Sequence, residues 1–408
     1  MATPSPFSVK TAAMLFAAAV AAVCADPPKG PNAARIQAIP ARFQQMVDNH
    51  ELSGAVVLVA NKGEVILNKA VGFADLATRR PMRTDTIFQI MSMTKPITAA
   101  ALTLLVEEGK VILSEPVSRY LPEFADQMVN DNGAQRRPAR PLLVKHLVTH
   151  SSGMTDPPVE FRQQIQNRME TTLEEAVKIY AKTPAAFDPG ARWAYSNAGL
   201  ATAGRIIEVV SGMPYEKFVE ERILKPLGMK DTFYFPDRVD QAKRDRIAML
   251  YRAGDGGLQP AGANVLGGDP KLLRKGAKYP APEFGLYSTA ADIAQFHQMV
   301  ADGGVYKGVR VLSKSGAELM ITMLTGDLVS RFPGVGNGMA FEVVDRLDSN
   351  LGLSLQSKGT FGHQGAFGTY AFADRSKNLV GVLMIQLQGR GVLQSEFIFS
   401  AMVEAAVD

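Results

Sequence analysis

Phe88-Gln89-Ile90-Met91-Ser92-Met93-Thr94-Lys95-Pro96 opens a long helical pattern over residues 92–109. Apolar Ile97, Ala101, Leu104 and Leu105 recur at helical spacing, and Gly109 reads as the terminator. A serine and a lysine at i, i+3 lie on one helix face, within hydrogen-bond reach of each other. Placement at a helix start adds two effects: free backbone N–H groups can face an oxyanion, and the positive helix end favours neutral over charged lysine. Burial lowers the lysine pKa further, which a base requires. Pro96 is tolerated because the first turn has no N–H partners to lose. Alone, this Ser92–Lys95 pair is a weak signal, and Ser92 also reads as a simple N-cap.

Outward from this helix, residues 54–60 (GAVVLVA) and 64–72 (EVILNKAVG) are β-rich runs joined by Asn61-Lys62-Gly63, a hairpin signal. A helix over 33–49 precedes them. Residues 115–280 hold proline-punctuated loops and helices, at 172–183, 198–211 and 214–227, without strand alternation. Strand signals return at 368–373 and 379–387 around the turn Asp374-Arg375-Ser376-Lys377-Asn378, and a helix over 394–407 closes the chain. Strands at both ends with helices between them predict an α+β (α/β sandwich) fold. Its antiparallel sheet is built from the N- and C-terminal parts and flanked by helices. A domain over 33–408 then divides into a sheet lobe (33–115 and 280–408) and an inserted, mostly helical lobe (116–279), whose shared cleft is the natural ligand site.

The 408 residues suffice for a large core, and 46% hydrophobic with 21% charged residues excludes a disordered chain. The net charge of +4 is dispersed, and the densest basic patch, Arg136-Arg137 to Arg140, is short. That reads as a solvated surface without a nucleic-acid partner. Near the N-terminus, Lys10 precedes an apolar run at 11–23, ending in Val23-Cys24-Ala25 before Asp26-Pro27-Pro28. A basic residue, a short apolar core and a small-residue exit describe a secretory signal peptide over residues 1–25. The run is too short for a bilayer span, so the expected product is secreted or periplasmic, with no stable membrane span after cleavage. Cleavage after Ala25 removes Cys24, the single cysteine, and with it thiol catalysis and cysteine-based zinc sites. Cys24 as a lipid-anchor site fits poorly, because Val23 is not a small residue.

The sequence has no G-x-S-x-G, H-E-x-x-H, P-loop or C-x-x-C motif. Gly334-Val335-Gly336-Asn337-Gly338 is glycine-rich, but Met339 breaks the dinucleotide fingerprint; it reads as a turn before a strand at 339–345. His146 and His150 stand at i, i+4 without a third ligand, which favours structural or capping roles over zinc. Two further motifs accompany Ser92-x-x-Lys95: Tyr195-Ser196-Asn197, and His363-Gln364-Gly365 followed by Ala366.

The order S-x-x-K, Y-x-N, H-x-G resembles the penicillin-recognising serine hydrolases, and within them the class C β-lactamase branch with its carboxylesterases and D-amino-acid peptidases. Leu147-Val148-Thr149-His150-Ser151-Ser152-Gly153-Met154, Pro226-Leu227-Gly228-Met229 and Gly285-Leu286-Tyr287-Ser288-Thr289-Ala290-Ala291-Asp292 resemble the same branch. The likeness covers about residues 35 to 405.

The resemblance implies that Ser92 forms an acyl-enzyme and that Lys95 and Tyr195 share the proton work. Tyr195 would act as phenolate only with cations nearby, such as Lys95 and His363. Asn197 would hold Lys95 or a substrate amide, and the backbone N–H groups of Ser92 and Ala366 would form the oxyanion hole. Trp193 reads as a packing residue. No metal or organic cofactor is implied.

Where related enzymes carry K-T-G or H-T-G, this chain has His363-Gln364-Gly365. A neutral imidazole and an amide replace a cation and a hydroxyl, weakening recognition of an acidic group beside the scissile bond. Esters also expel their leaving group more readily than amides. The expectation is therefore a small-molecule carboxylic ester substrate. A β-lactam or D-alanyl-D-alanine carboxypeptidase/D-aminopeptidase activity is the alternative. A non-catalytic penicillin-binding or assembly protein is a rival of another class, opposed by the intact Ser92, Lys95 and Tyr195.

Overall fold

The computed structural model describes residues 30–254, 256–262, 266–267, 273–328, 330–345 and 355–407. The expected signal peptide and Cys24 lie outside the described residues.

The hairpin forms where its turn residues place it. Strands β1 (Gly54–Asn61) and β2 (Glu64–Asp75) are joined by Lys62 and Gly63, both at positive φ (53° and 81°). Two such residues make the turn whose twist matches the flanking strands. With β3 (Arg80–Pro81), β4 (Val335–Asn337), β5 (Glu342–Val344), β6 (Phe361–Gln364), β7 (Tyr370–Asp374) and β8 (Leu379–Met384), they form an eight-stranded sheet in the order β4-β5-β6-β7-β8-β1-β2-β3. Every neighbouring pair is antiparallel. The N-terminal hairpin meets the C-terminal strands through β1 and β8, with Val56 opposite Met384 and Asn61 opposite Leu379.

Both sheet faces are covered, which explains the unbroken apolar run of β1. Ala55, Val57 and Val59 face helices α1 (Ala33–Asp48) and α5 (Val392–Val407), in a core with Phe43, Phe372 and Phe399. Val56, Leu58 and Ala60 face the opposite core, shared with Ile293 and Phe296 of α4 (Ala290–Ala301). That second core continues into α2 (Thr94–Glu107), whose residues from Thr94 to Leu105 are all buried, and α3 (Asn197–Ser211). A helix apolar on all sides belongs at the centre of a protein.

The middle segment is helical, as at Leu173–Lys182, but not free of strands. Val129–Asp131 pairs with Ala134–Arg136, and Tyr251–Gly254 pairs with both Gly257–Pro260 and Leu387–Gln388. These strands have four residues at most, too few for alternation to register. Gly334–Gly338 is also not simply a turn: its central residues are β4, at the edge of the main sheet. Among the described residues, no helix is long and apolar enough to cross a membrane.

Candidate active site

Ser92 is not an N-cap. It lies in a 3-10 turn, Met91–Met93, that leads into α2, and no side chain caps either element. Met91 is buried with φ +49°, an unusual conformation for a residue with a side chain. Such strain persists only where the surroundings enforce it. Here the Ile90 carbonyl accepts from Thr369 Oγ1 (2.9 Å) and the Met93 amide (3.2 Å), and the Ile90 amide donates to the Leu286 carbonyl (3.1 Å).

One turn on, Lys95 is completely buried. Its Nζ lies 3.0 Å from Ser92 Oγ, 2.9 Å from Asn197 Oδ1 and 2.8 Å from the Glu283 carbonyl. Burial lowers its pKa to about 7, opposed by the negative charge of Glu283 and Asp156. Two of its three partners only accept, so they take the two N–H groups of a neutral amine and leave its lone pair facing the Ser92 hydroxyl.

Tyr195 and Asn197 reach this lysine because Ser196 between them caps α3, its Oγ accepting from the Gly199 amide (3.0 Å). The Tyr195 ring lies 4.8 Å from Lys95 Nζ and keeps 37% of its surface open. Burial pushes the phenol pKa up, and contact with Ser92 pulls it partly back down. His150 stacks on Tyr195 with ring centroids 4.4 Å apart, and its Nδ1 accepts from the Ser196 amide (3.1 Å). Burial first, then Lys95 and His363, hold His150 well below the ordinary histidine range. His146 Nδ1 accepts from the Leu143 amide at the start of helix Val144–Val148. Both histidines thus hold main chain, and among the described residues no group of acidic, His or Cys side chains could hold a metal. Trp193 packs edge-on to His150 and donates to Asn337 Oδ1 of β4 (2.6 Å).

His363 and Gln364 end β6 on the other side of Ser92. The His363 ring is 6.2 Å from that of Tyr195, and its Nδ1 contacts the Gln364 carbonyl (2.7 Å). Burial, then Lys95, pushes its pKa down to about 3, so it is neutral and gives a Tyr195 phenolate no cation. The expected help from His363 is therefore absent. Gly365 is required by close approach: a Cβ there would sit 2.1 Å from Thr369 Oγ1 and 2.4 Å from the Ile90 carbonyl. That contact seats β6 against the Ser92 turn and leaves Ala366 exposed at its end.

Two neighbours escaped the sequence. Glu283, fully buried, presents its carbonyl to Lys95 while its Oε1 accepts from Tyr279 (2.8 Å). Burial raises its pKa to about 7. The only signal was one acid in an apolar loop, Pro280-Ala281-Pro282-Glu283-Phe284. Arg331, in the loop before β4, contacts Gln364 and carried no signal.

The β-lactamase family model matches residues 39–400. The esterase EstB of Burkholderia gladioli is 31% identical over 389 residues, covering 88% of this chain and 92% of its own. The lovastatin esterase of Penicillium rubens is 31% identical over 278 residues, 64% of this chain and 68% of its own. The solved structure of EstCE1, described as a hydrolase with promiscuous acyltransferase activity, superposes with a TM-score of 0.76 at 24% identity, covering 92% of this chain and 97% of that one. The fold, the family match and these relatives agree: the chain belongs to the β-lactamase family and is a serine hydrolase.

Proposed function

We propose that the protein hydrolyses carboxylic esters through an acyl-enzyme on Ser92. The observation that carries this reading is the 3.0 Å contact between Ser92 Oγ and a wholly buried Lys95 held near pKa 7. Neutral Lys95 takes the Ser92 proton as Oγ attacks the ester carbonyl. The amides of Ser92 and Ala366 face the oxyanion, a contribution of about 3–4 kcal/mol per donor in other hydrolases. The C–O bond then breaks, and the alkoxide receives the proton from Lys95 through Tyr195. Water enters, loses its proton along the same path, and releases the acid and Ser92. Tyr195 stays protonated at rest, since its phenol is raised and His363 is uncharged.

Two relatives named as esterases support the substrate class, as do the missing lysine and threonine of the third motif. Export is also part of the proposal, supported by the apolar run at 11–23 between Lys10 and Ala25. N-terminal sequencing of the protein from the extracellular or periplasmic fraction tests it.

The purified protein should turn over p-nitrophenyl esters faster than a chromogenic cephalosporin or a D-Ala-D-Ala peptide, and a fluorophosphonate should label it only while Ser92 is present. Undiminished ester turnover by Ser92→Ala would overturn the site. Efficient cephalosporin hydrolysis without esterase activity would overturn the substrate class.

A further inference from the structure

A cavity of about 640 Å³ opens between the helical turns over residues 215–227 and the loop over 229–239, and none of the side chains around Ser92 lines it. Its volume is that of a small-molecule site, and its open wall is more apolar than polar. The stretch Pro226-Leu227-Gly228-Met229 makes its bend: Gly228, at φ +72°, ends the last helical turn and sends the chain into the loop. The aromatic wall is fixed from behind. Phe233 stacks on Tyr287 with ring centroids 5.6 Å apart, and the two residues exchange main-chain hydrogen bonds (3.1 and 2.8 Å). Tyr234 donates its hydroxyl to that of Tyr215 (2.8 Å), which shares a hydrogen with Thr98 Oγ1 of α2 (2.6 Å). A wall held in this way has little ordering cost left when a ligand arrives.

The charges around the cavity are unequal: five basic and two acidic residues line it. Of the acids, Glu220 is engaged by Lys217 (2.8 Å) and Lys225 (3.3 Å), which leaves the half-buried Glu216. Lys243 Nζ donates to the Lys230 carbonyl (2.5 Å) and stands 3.9 Å from Asp231, a carboxylate already gripped by Arg246. Arg238 lies over the Phe235 ring, 3.7 Å from its centroid, and its Nη2 donates to the Ala277 carbonyl (2.8 Å). Lys230 and Arg238 are exposed, and among the described residues neither has a carboxylate within ion-pair distance. One acid thus stands against Lys230, Arg238 and Lys243, and the rim is complementary to an anion.

We propose that this cavity is a second ligand site, separate from the Ser92 cleft, that takes an amphiphilic carboxylate. The aliphatic chain lies along the wall of Phe233 and Phe235, and the carboxylate is held by Lys230 and Arg238 at the rim. The site stands independently of the ester-hydrolase reading.

The test is isothermal titration of decanoate, below its micellar concentration, into protein whose Ser92 is blocked by a fluorophosphonate, which keeps the cleft out of the measurement. Decanoate should bind, and decyltrimethylammonium, with the same chain and the opposite charge, should not. Lys230→Gln and Arg238→Gln should each weaken decanoate about tenfold, the weight of a charge-assisted contact, and leave KM for p-nitrophenyl butyrate unchanged. Binding that is lost on blocking Ser92, that is equal for the two probes, or that survives both substitutions would refute the proposal. Failure of the hydrolase reading is distinct: Ser92 would stay unlabelled, and the two substitutions, read on the unblocked protein, would still decide the site.

Discussion

Lys95 Nζ donates to the main-chain carbonyl of Glu283 at 2.8 Å, so the proposed base and the acid that biases it are tied together through one residue. Lys95 must be neutral to accept a proton, so kcat/KM should climb as pH rises through about 7. The Glu283 carboxylate favours the charged lysine, and removing it removes that bias. Glu283→Gln keeps the carbonyl and should move the acidic limb of the pH profile to lower pH. An unmoved limb would separate Glu283 from the base. Lys95→Arg, charged at every pH, should lose about 10²–10⁴-fold in kcat.

Gly365→Ala places a methyl group against the Ile90 carbonyl and Thr369 Oγ1. Neither can move without shifting the turn that carries Ser92. Overpacking of this kind costs about 1–3 kcal/mol, and urea unfolding should show it. The loss in kcat at a temperature where the variant is fully folded should exceed about tenfold. Retained kcat would mean that β6 does not set the nucleophile.

His150→Phe preserves a ring under Tyr195 but removes the acceptor for the Ser196 amide. An orphaned buried N–H costs about 1–3 kcal/mol. With the start of α3 released, both Tyr195 and Asn197 lose their placement. Steady-state kinetics should record a fall in kcat with little change in KM.

Phe399 is fully buried between Phe43 and Phe372, with ring centroids 6.3 Å from each, on the sheet face that carries α1 and α5. Phe399→Ala should destabilise the fold by about 3–5 kcal/mol in chemical denaturation. The midpoint of the pH–activity profile should stay in place, since this ring belongs to the core on one sheet face and the residues flanking Ser92 and Lys95 to the core on the other.

Local chemistry made much of this legible. The β1–β2 turn and the apolar period of α2 are written within a few neighbouring residues each. Ser92, Lys95, Tyr195, Asn197, His363 and Gln364 stood out by type and order, and contacts link Ser92 to Lys95, Lys95 to Asn197 and to the Tyr195 ring, and Tyr195 to His363. What the sequence hid is long-range. Strand β4 has three residues, was read as part of a turn, and gains its identity only from its partner across the sheet, whereas β5 falls inside the strand expected at 339–345. Glu283 and Arg331 reach the site from loops whose local composition says nothing about where they fold. His363 was read as neutral in the third motif yet named among the cations a Tyr195 phenolate would need, and burial favours the neutral ring.

The pairing of Val56 with Met384 also sets a timetable. β1 can complete its ladder only once β8 has emerged, and sheets built from such distant partners close slowly. His363 and Gln364 reach Ser92 through the same closure. A nascent chain lacking its last strands therefore carries the nucleophile but not the opposite wall of the cleft. Maturation of the enzyme begins with the arrival of its C-terminus, and a shortened chain would expose the apolar edge of an unfinished sheet to aggregation.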